Sequence, residues 1–422
     1  MNRLKAHLPI AVITTIALFL RLWRLNQPKG YIFDEIYYAK NANSLINHGV
    51  ELGANNQAEF VVHPPLGKWL IGIGIKLFGN NEFGWRISAA VCGTAAILLI
   101  YLIALQLFKS IFLASLAATF MALDGLNLVM SRLALLDIFL MFFILLATYF
   151  LIIKNYWLCG VAIGAAAGVK WSGAYLIPVF FIISINFARG EFIKQLPRRM
   201  IQLIITPIFA YLTTWFGWFI GKNGWDRNWA ASQNNSLVPD IFRNYWHYHS
   251  EILNFHTGLE DKHAYAANPW NWLILGRPTS FYYQSSQSCG ASSCAKEILA
   301  IGTPLLWWAA TIALATTVGF WFKRRDQISN LILSGVVVTY LPWFFFQNRT
   351  MFFFYAVTIT PFLILSLVYL ISKFLQSGVK REFIYLFIIV IFLNFIYFLP
   401  IFTGVEIPYA SWLNRMWLPS WI

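Results

Sequence analysis

Charge is scarce along this chain, and negative charge scarcer still: only 11% of 422 residues are charged, 17 acidic against 31 basic. A soluble domain carries roughly a quarter charged residues, so a soluble globular fold is excluded. The long apolar runs do not alternate with polar residues, which excludes the strands of a transmembrane barrel. A Walker A segment and a GxGxxG following a strand are both absent, so there is no sign of a nucleotide-binding domain. An inverted repeat, the mark of many secondary transporters, is not evident, and there is no low-complexity segment. Cysteine is limited to four residues. Cys92 and Cys159 fall in apolar runs and read as packing, whereas Cys289 and Cys294 fall in a polar loop.

What is present is hydrophobic: 59% of all residues are hydrophobic and 18% of all residues aromatic, with a mean hydropathy of +0.62. Apolar runs long enough for a helix to cross about 30 Å of hydrocarbon recur along the chain. They predict spans at 8–25, 85–108, 110–129, 133–153, 156–169, 171–187, 200–220, 299–322, 328–346, 350–373 and 383–403. The stretch 156–187 reads as a short hairpin, interrupted at Gly168, Lys170, Ser172 and Gly173. That reading keeps Arg189, Lys194, Arg198 and Arg199 on the same side as Lys5, Lys109, Lys154, Lys323, Arg324, Arg325, Lys373, Lys380 and Arg381. Short loops rich in Lys and Arg stay cytoplasmic, so the N-terminus is expected inside and the tail 404–422 outside. The net charge of +14 then reflects membrane orientation and implies no nucleic acid. The first span runs into Arg21-Leu22-Trp23-Arg24 without a small-residue cleavage site and is expected to stay as an anchor.

Two long polar segments, 26–84 and 221–298, fall on the outer side, which points to chemistry there. The first contains amphipathic stretches at 35–48 and 66–78. The chain thus divides into an N-terminal membrane region 1–220 including loop 26–84, an outer loop 221–298, and a C-terminal membrane region 299–422.

Four groups of residues carry candidate chemistry. Phe33-Asp34-Glu35 follows the first span; Asp34 reads as a general base for a hydroxyl nucleophile, with Glu35 as its structural or electrostatic partner. His63-Pro64-Pro65-Leu66-Gly67-Lys68 holds His63 and Lys68 on a stiff backbone, for substrate contact or for structure. Asp124, Arg132 and Asp137 surround an outer turn, where a clamping ion pair is the plain alternative. Arg21, Arg86, Arg132, Lys170 and Arg277 put positive charge near the outer leaflet, as a phosphate leaving group requires. His247, His249, His256 and His263 match no standard zinc spacing and suit hydrogen bonding or sugar contact, so no metal is expected. Cys289 and Cys294 are a disulfide candidate.

Taken in order, these segments resemble the protein O-mannosyltransferase family of GT-C-type glycosyltransferases. The likeness runs through Phe33-Asp34-Glu35, His63-Pro64-Pro65 with Lys68, Trp85-Arg86, Ser131-Arg132 with Asp137, and Gly168-Val169-Lys170-Trp171-Ser172-Gly173. It continues with Asn268-Pro269-Trp270-Asn271-Trp272 to Arg277-Pro278, Cys289 to Cys294, Gly302-Thr303-Pro304-Leu305-Leu306-Trp307-Trp308, and Pro342-Trp343 before Arg349-Thr350-Met351-Phe352-Phe353-Phe354-Tyr355. The resemblance implies an all-α integral membrane protein of GT-C type, with about 11 transmembrane helices and two long extracytoplasmic loops carrying amphipathic helices. It implies an inverting enzyme of the plasma membrane that moves mannose from polyprenyl-phosphate-mannose to Ser or Thr of exported polypeptides, with Asp34 as base and no cofactor or nucleotide sugar. Delivery of the acceptor by the secretion machinery fits that picture, with membrane lipids as the other partners. Segment 221–298 is too short for the β-trefoil domain of eukaryotic members, so a compact, bacterial-type form is expected. The alternative is a related transferase that uses the same kind of donor on a lipid or glycan. A carrier or channel is disfavoured, because nearly all charges sit at span ends or in outer loops.

Overall fold

A computed structural model describes residues 3–186, 191–234 and 236–422. Arg189 and the end of the 171–187 span lie outside the described residues. Each expected span contains a helix. In the first half these are α1 (Arg3–Leu22), α2 (Glu35–His48), α3 (Leu66–Phe78), α4 (Glu82–Phe108), α5 (Ile111–Ala122), α6 (Gly125–Met130), α7 (Asp137–Ile152), α8 (Tyr156–Val169), α9 (Leu176–Asn186), α10 (Phe192–Met200), α11 (Thr206–Thr214) and α12 (Phe216–Ile220). The second half contains α13 (Asp240–Gly258), α14 (Pro304–Arg324), α15 (Gln327–Tyr340), α16 (Thr360–Gln376), α17 (Arg381–Thr403) and α18 (Tyr409–Leu413). The amphipathic stretches 35–48 and 66–78 coincide with α2 and α3. Among the described residues, four helical stretches are long and apolar enough to cross a membrane unaided: Glu82–Phe108, Pro304–Arg324, Gln327–Phe346 and Arg381–Thr403.

Local chemistry sets the boundaries. Asn81 caps α4 by accepting from the Gly84 amide, and Asp326 caps α15 by accepting from Ile328 and Ser329, satisfying donors a helix start leaves open. The 156–187 stretch breaks where expected, with Lys170 extended (φ −147°, ψ 142°) between α8 and a turn at Trp171–Tyr175 that packs back on α8. Gly160, Gly164 and Gly168 line one face of α8 against the segment leading through α11. A Cβ on them would lie 2.0 Å from Gln202 O, 2.4 Å from Pro207 O and 2.6 Å from Thr214 Cγ2. Close helix contact of this kind replaces the hydrophobic drive that lipid removes.

Four spans differ from expectation. The 110–129 run breaks at Leu123-Asp124 into α5 and α6, and 200–220 breaks at Trp215 into α11 and α12. In 328–346 the α-helix stops at Tyr340 and tightens into a 3₁₀ turn over Leu341–Phe346, where Pro342 cannot donate to the preceding turn. The largest departure is 350–373: α16 starts at Thr360, with Pro361 in its first turn, ten residues late. Hydropathy alone marks Met351–Phe354 as membrane, but these residues form an extended bridge and the start of a 3₁₀ turn, and Phe352 with Tyr355 lines a cleft.

The outer loop 221–298 contributes α13 and a small sheet that a purely helical reading did not include. β1 (Thr279–Ser286) and β2 (Cys294–Ala300) pair antiparallel from Thr279–Ala300 to Ser286–Cys294, with a bulge after Ser280. β3 (Ile407–Pro408) in the tail adds to β2, so β2 runs across the expected boundary at 298/299. Cys289 and Cys294 are bonded in the hairpin turn. The two halves meet where α16 packs on α5 and α4.

Candidate active site

The site begins where α1 ends. The Arg132 guanidinium donates to the carbonyls of Leu20 (2.8 Å), Arg21 (3.1 Å) and Trp23 (2.7 Å), capping the helix. The chain then turns back through Leu25, Pro28 and Gly30, whose carbonyls accept from Arg86. Phe33, at φ 50°, adopts the left-handed region that bulky side chains rarely enter; packing against Phe281, Phe352 and Phe354 holds it there.

This turn gives the two acids of the motif different surroundings. Glu35, fully buried, receives Arg86 Nε at 2.8 Å and Nη2 at 2.7 Å on separate oxygens. It also accepts from the amides of Ile32 (3.0 Å) and Ala134 (2.9 Å), so both oxygens are saturated. Asp34, one residue earlier at the start of α2, lines a cleft of ≈ 440 Å³. Burial pushes its carboxyl up to about 6, Lys170 opposes that shift, and Asp137 adds to it.

Around Asp34 the cleft is lined by Tyr38, His63, Lys170, His256, Arg349 and Tyr355. Lys170 Nζ lies 2.8 Å from Asp137 and 4.8 Å from the centre of the Tyr355 ring. Lys68, also on the wall, is buried and committed: it pairs with Glu51 at 2.5 Å and donates to the His63 carbonyl at 3.1 Å. His256 Nε2 lies 2.8 Å from the Val62 carbonyl, so it donates, and Nδ1 is left to accept from Arg349 Nη2 at 3.1 Å. Burial, reinforced by Arg349, lowers His256 to about 4, and burial with Lys170 lowers His63 well below the usual range. Both are neutral at pH 7. Arg349 Nε is buried without a hydrogen-bond partner. Beyond Lys170 and Arg349 the cleft continues into a smaller, aromatic lobe of ≈ 130 Å³ walled by Trp171, Trp343 and Phe346.

The structure therefore brings together Asp34, His63, Lys68 and Lys170, and, through its pair with Lys170, Asp137. It does not bring in four of the five expected phosphate ligands. Arg86 and Arg132 are consumed as described. Arg21 is fully buried and donates to the Ala17 carbonyl and to Asn127. Arg277 ties the Ala264 carbonyl (3.0 Å) to those of Ser420 (2.5 Å) and Ile422 (2.7 Å). All four donate to backbone carbonyls, and Arg132 takes those that the end of α1 leaves open. Asp124 caps α6 through the Asn127 amide at 2.7 Å, and His263 packs edge-on against Phe352 outside the cleft. His247 bonds Asp226, and His249 bonds Tyr211 and the Tyr245 carbonyl. Among the described residues, no group of three or more His, Cys, Asp or Glu is placed to hold a metal.

Arg349, Tyr38 and Tyr355 were not singled out as site residues from the sequence, and of the four histidines considered for hydrogen bonding or sugar contact only His256 lines the cleft. For Arg349 there was a signal: a lone cation inside the aromatic run from Pro342 to Tyr355, where charge is expensive and marks a cavity or a partner.

Comparison with known proteins agrees along the whole length. Residues 11–218 match the model of the dolichyl-phosphate-mannose-protein mannosyltransferases, and 241–421 match that of the C-terminal four-helix membrane region of protein O-mannosyltransferases. A polyprenol-phosphate-mannose–protein mannosyltransferase of Mycobacterium tuberculosis is 33% identical over 475 residues, covering 98% of this chain and 90% of that one. The Saccharomyces cerevisiae protein O-mannosyltransferase Pmt1–Pmt2 complex bound to the sugar donor superposes with a TM-score of 0.81 at 16% identity, covering 100% of this chain and 93% of the other. ArnT of Cupriavidus metallidurans bound to undecaprenyl phosphate gives 0.55 at 18% identity, covering 85% and 59%. The fold is that of the GT-C membrane glycosyltransferases, and the chain belongs to the protein O-mannosyltransferase family.

Proposed function

We propose that this chain is an inverting glycosyltransferase that moves mannose from a polyprenyl-phosphate carrier to Ser or Thr hydroxyls of exported polypeptides. The observation that carries the reading is the placement of Asp34 in one cleft with two cations, Lys170 and Arg349, that line it as well. In this reading Asp34 accepts the proton of the acceptor hydroxyl as its oxygen attacks the anomeric carbon. The bond from that carbon to the phosphate oxygen breaks on the opposite face, its electron pair stays on the phosphate, and the configuration inverts. Lys170 and the unpaired edge of Arg349 meet the charge that grows on the leaving group. A lipid phosphate leaves without protonation, so the reading assigns no role to a general acid, a metal or another cofactor.

The cleft is assigned to the extracytoplasmic face of the plasma membrane, with the N-terminus cytoplasmic. The reason is charge: the turns at the other end of the bundle carry Lys109, Lys154, Lys323, Arg324, Arg325, Lys380 and Arg381, and such loops stay inside. An exported polypeptide would then meet Asp34 as it leaves the secretion machinery.

The test is direct. Purified protein is incubated with polyprenyl-phosphate-mannose and a Ser/Thr-rich peptide, with and without EDTA. A hexose mass increment on the peptide, insensitive to EDTA, is expected. Mannose appearing only on co-purified lipid or glycan would replace this reading with the alternative acceptor.

A further inference from the structure

The end of the bundle remote from Asp34 holds a second cavity, of ≈ 660 Å³, where the ends of α4 and α7 face the start of α15. It joins the two halves of the chain at the end opposite the cleft. Arg86, under the catalytic end of α4, and Lys109, just past its last turn, are separated by about 35 Å at 1.5 Å per residue.

The walls of this cavity have two characters. Leu107, Ile152 and Leu331 form an aliphatic side; Lys109 and Lys154 stand at the rim with Gln327. Among the described residues, no carboxylate lines it. The acid closest in sequence, Asp326, is turned into its own helix, accepting from the amides of Ile328 and Ser329, and from the Tyr369 hydroxyl at 2.6 Å. Lys109 and Lys154 both sit at helix-terminating turns in the left-handed region, at φ 52° and 62°, where glycine is the less strained residue. Strain is thus accepted at two turns that each place an ammonium-bearing side chain on one cavity. Lys109 Nζ is held by Gln106 Oε1 at 2.9 Å.

An aliphatic wall below a cationic rim at the end of a membrane bundle matches one ligand chemistry: a phosphodiester headgroup whose glycerol and first methylenes continue along hydrocarbon. We infer that this cavity binds one anionic phospholipid, with its headgroup phosphate between Lys109 and Lys154, and so bridges α4 and α7 to α15. The inference does not depend on the transferase reading, because its readout is lipid retention.

The full-length protein, delipidated in detergent, is titrated with phosphatidylglycerol or phosphatidylcholine and observed by native mass spectrometry. One phosphatidylglycerol per chain is expected, retained about twenty-five-fold more tightly than phosphatidylcholine, at about fivefold for each lysine. Lys109→Gln with Lys154→Gln removes the preference, whereas Lys109→Arg with Lys154→Arg keeps it. Leu331→Trp fills the aliphatic side and lowers retention with both lysines in place; together with the arginine pair it keeps the test valid if the glutamine pair fails to fold. Equal retention of the two lipids, or a preference that survives the glutamine pair, overturns the inference. So does displacement of the lipid by millimolar inorganic phosphate, which would mark a small-anion site.

Discussion

Two groups of charge lie within a few residues of one another and behave oppositely. Below the turn at Phe33, Glu35 and Arg86 satisfy each other and the surrounding backbone, and Arg132 is spent on the carbonyls ending α1. Above it, Asp34 and Arg349 face a cavity, and Arg349 Nε is buried without a hydrogen-bond partner. A saturated buried ion pair acts as structure, and removing one member leaves a charge with nowhere to go. A partly satisfied charge at a cavity wall is held in wait for a ligand. The sign of the charge and its place in a motif do not separate the two groups; the count of partners does.

The largest effect that tests this contrast is Asp34→Asn. The amide keeps the shape but cannot take a proton, and losing a positioned base costs about 10²–10⁴-fold in turnover. Donor binding and thermal stability should be close to those of the unsubstituted protein. A Glu35→Gln enzyme that is folded and inactive beside an active Asp34→Asn enzyme would reverse the two roles.

Next in size is the pair beneath. Arg86→Leu strands Glu35 in a fully buried site and should cost about 3–5 kcal/mol of stability, read as a lowered unfolding temperature in detergent. Arg86→Lys should recover only part of this, because an ammonium cannot supply the two parallel donors. If Arg86→Leu kept its unfolding temperature and raised only the donor KM, Arg86 would be a phosphate ligand after all.

Arg349→Ala should be smaller and kinetic. Loss of one preorganised donor to a developing anion costs about 10²–10³-fold in kcat, with a raised donor KM, because phosphate charge is present before the reaction and grows during it. The acceptor KM should hardly move. A defect confined to acceptor KM would place Arg349 on the peptide side of the cleft.

The limits of what could be read from the sequence follow the same division. Helices were legible because their signals are local: apolar run length located the spans, and 3.6-residue amphipathicity placed α2 and α3 at their observed boundaries. The place of Asp34 in the cleft was legible because an acid in a short motif directly after a span stands at the membrane edge, where a cavity can open. The arginines misled because whether Arg86 serves a ligand or Glu35 depends on how residues 25–35 fold back over α4, which no local pattern encodes. The late start of α16 was hidden for a different reason. Aromatic residues that line a cleft and aromatic residues that face lipid have the same hydropathy, so Phe352 and Tyr355 were counted into a span and Arg349 into the short turn before it.

The smallest effect comes from the elevated Asp34 carboxyl, and it separates chemistry from folding by sign. Burial raises the group to about 6, whereas an unfolded chain would show the ordinary value of 3.8. The base is competent only when ionised, so kcat/KM should fall as pH drops through about 6, to about half at that pH and tenfold per unit further down. Stability should respond the other way. Between the two values the folded state holds more protons than the unfolded one, so this group's contribution is fully present below about pH 3.8 and is lost as pH rises through about 6. Acidification across that interval should therefore slow the enzyme while this one group favours the fold. Lys170→Met, which removes the cation that opposes the shift, should move the acid limb to higher pH, in addition to lowering the plateau. Asp34→Asn should lose its contribution to the pH dependence of unfolding. An acid limb unchanged in position in Lys170→Met would assign it to another group.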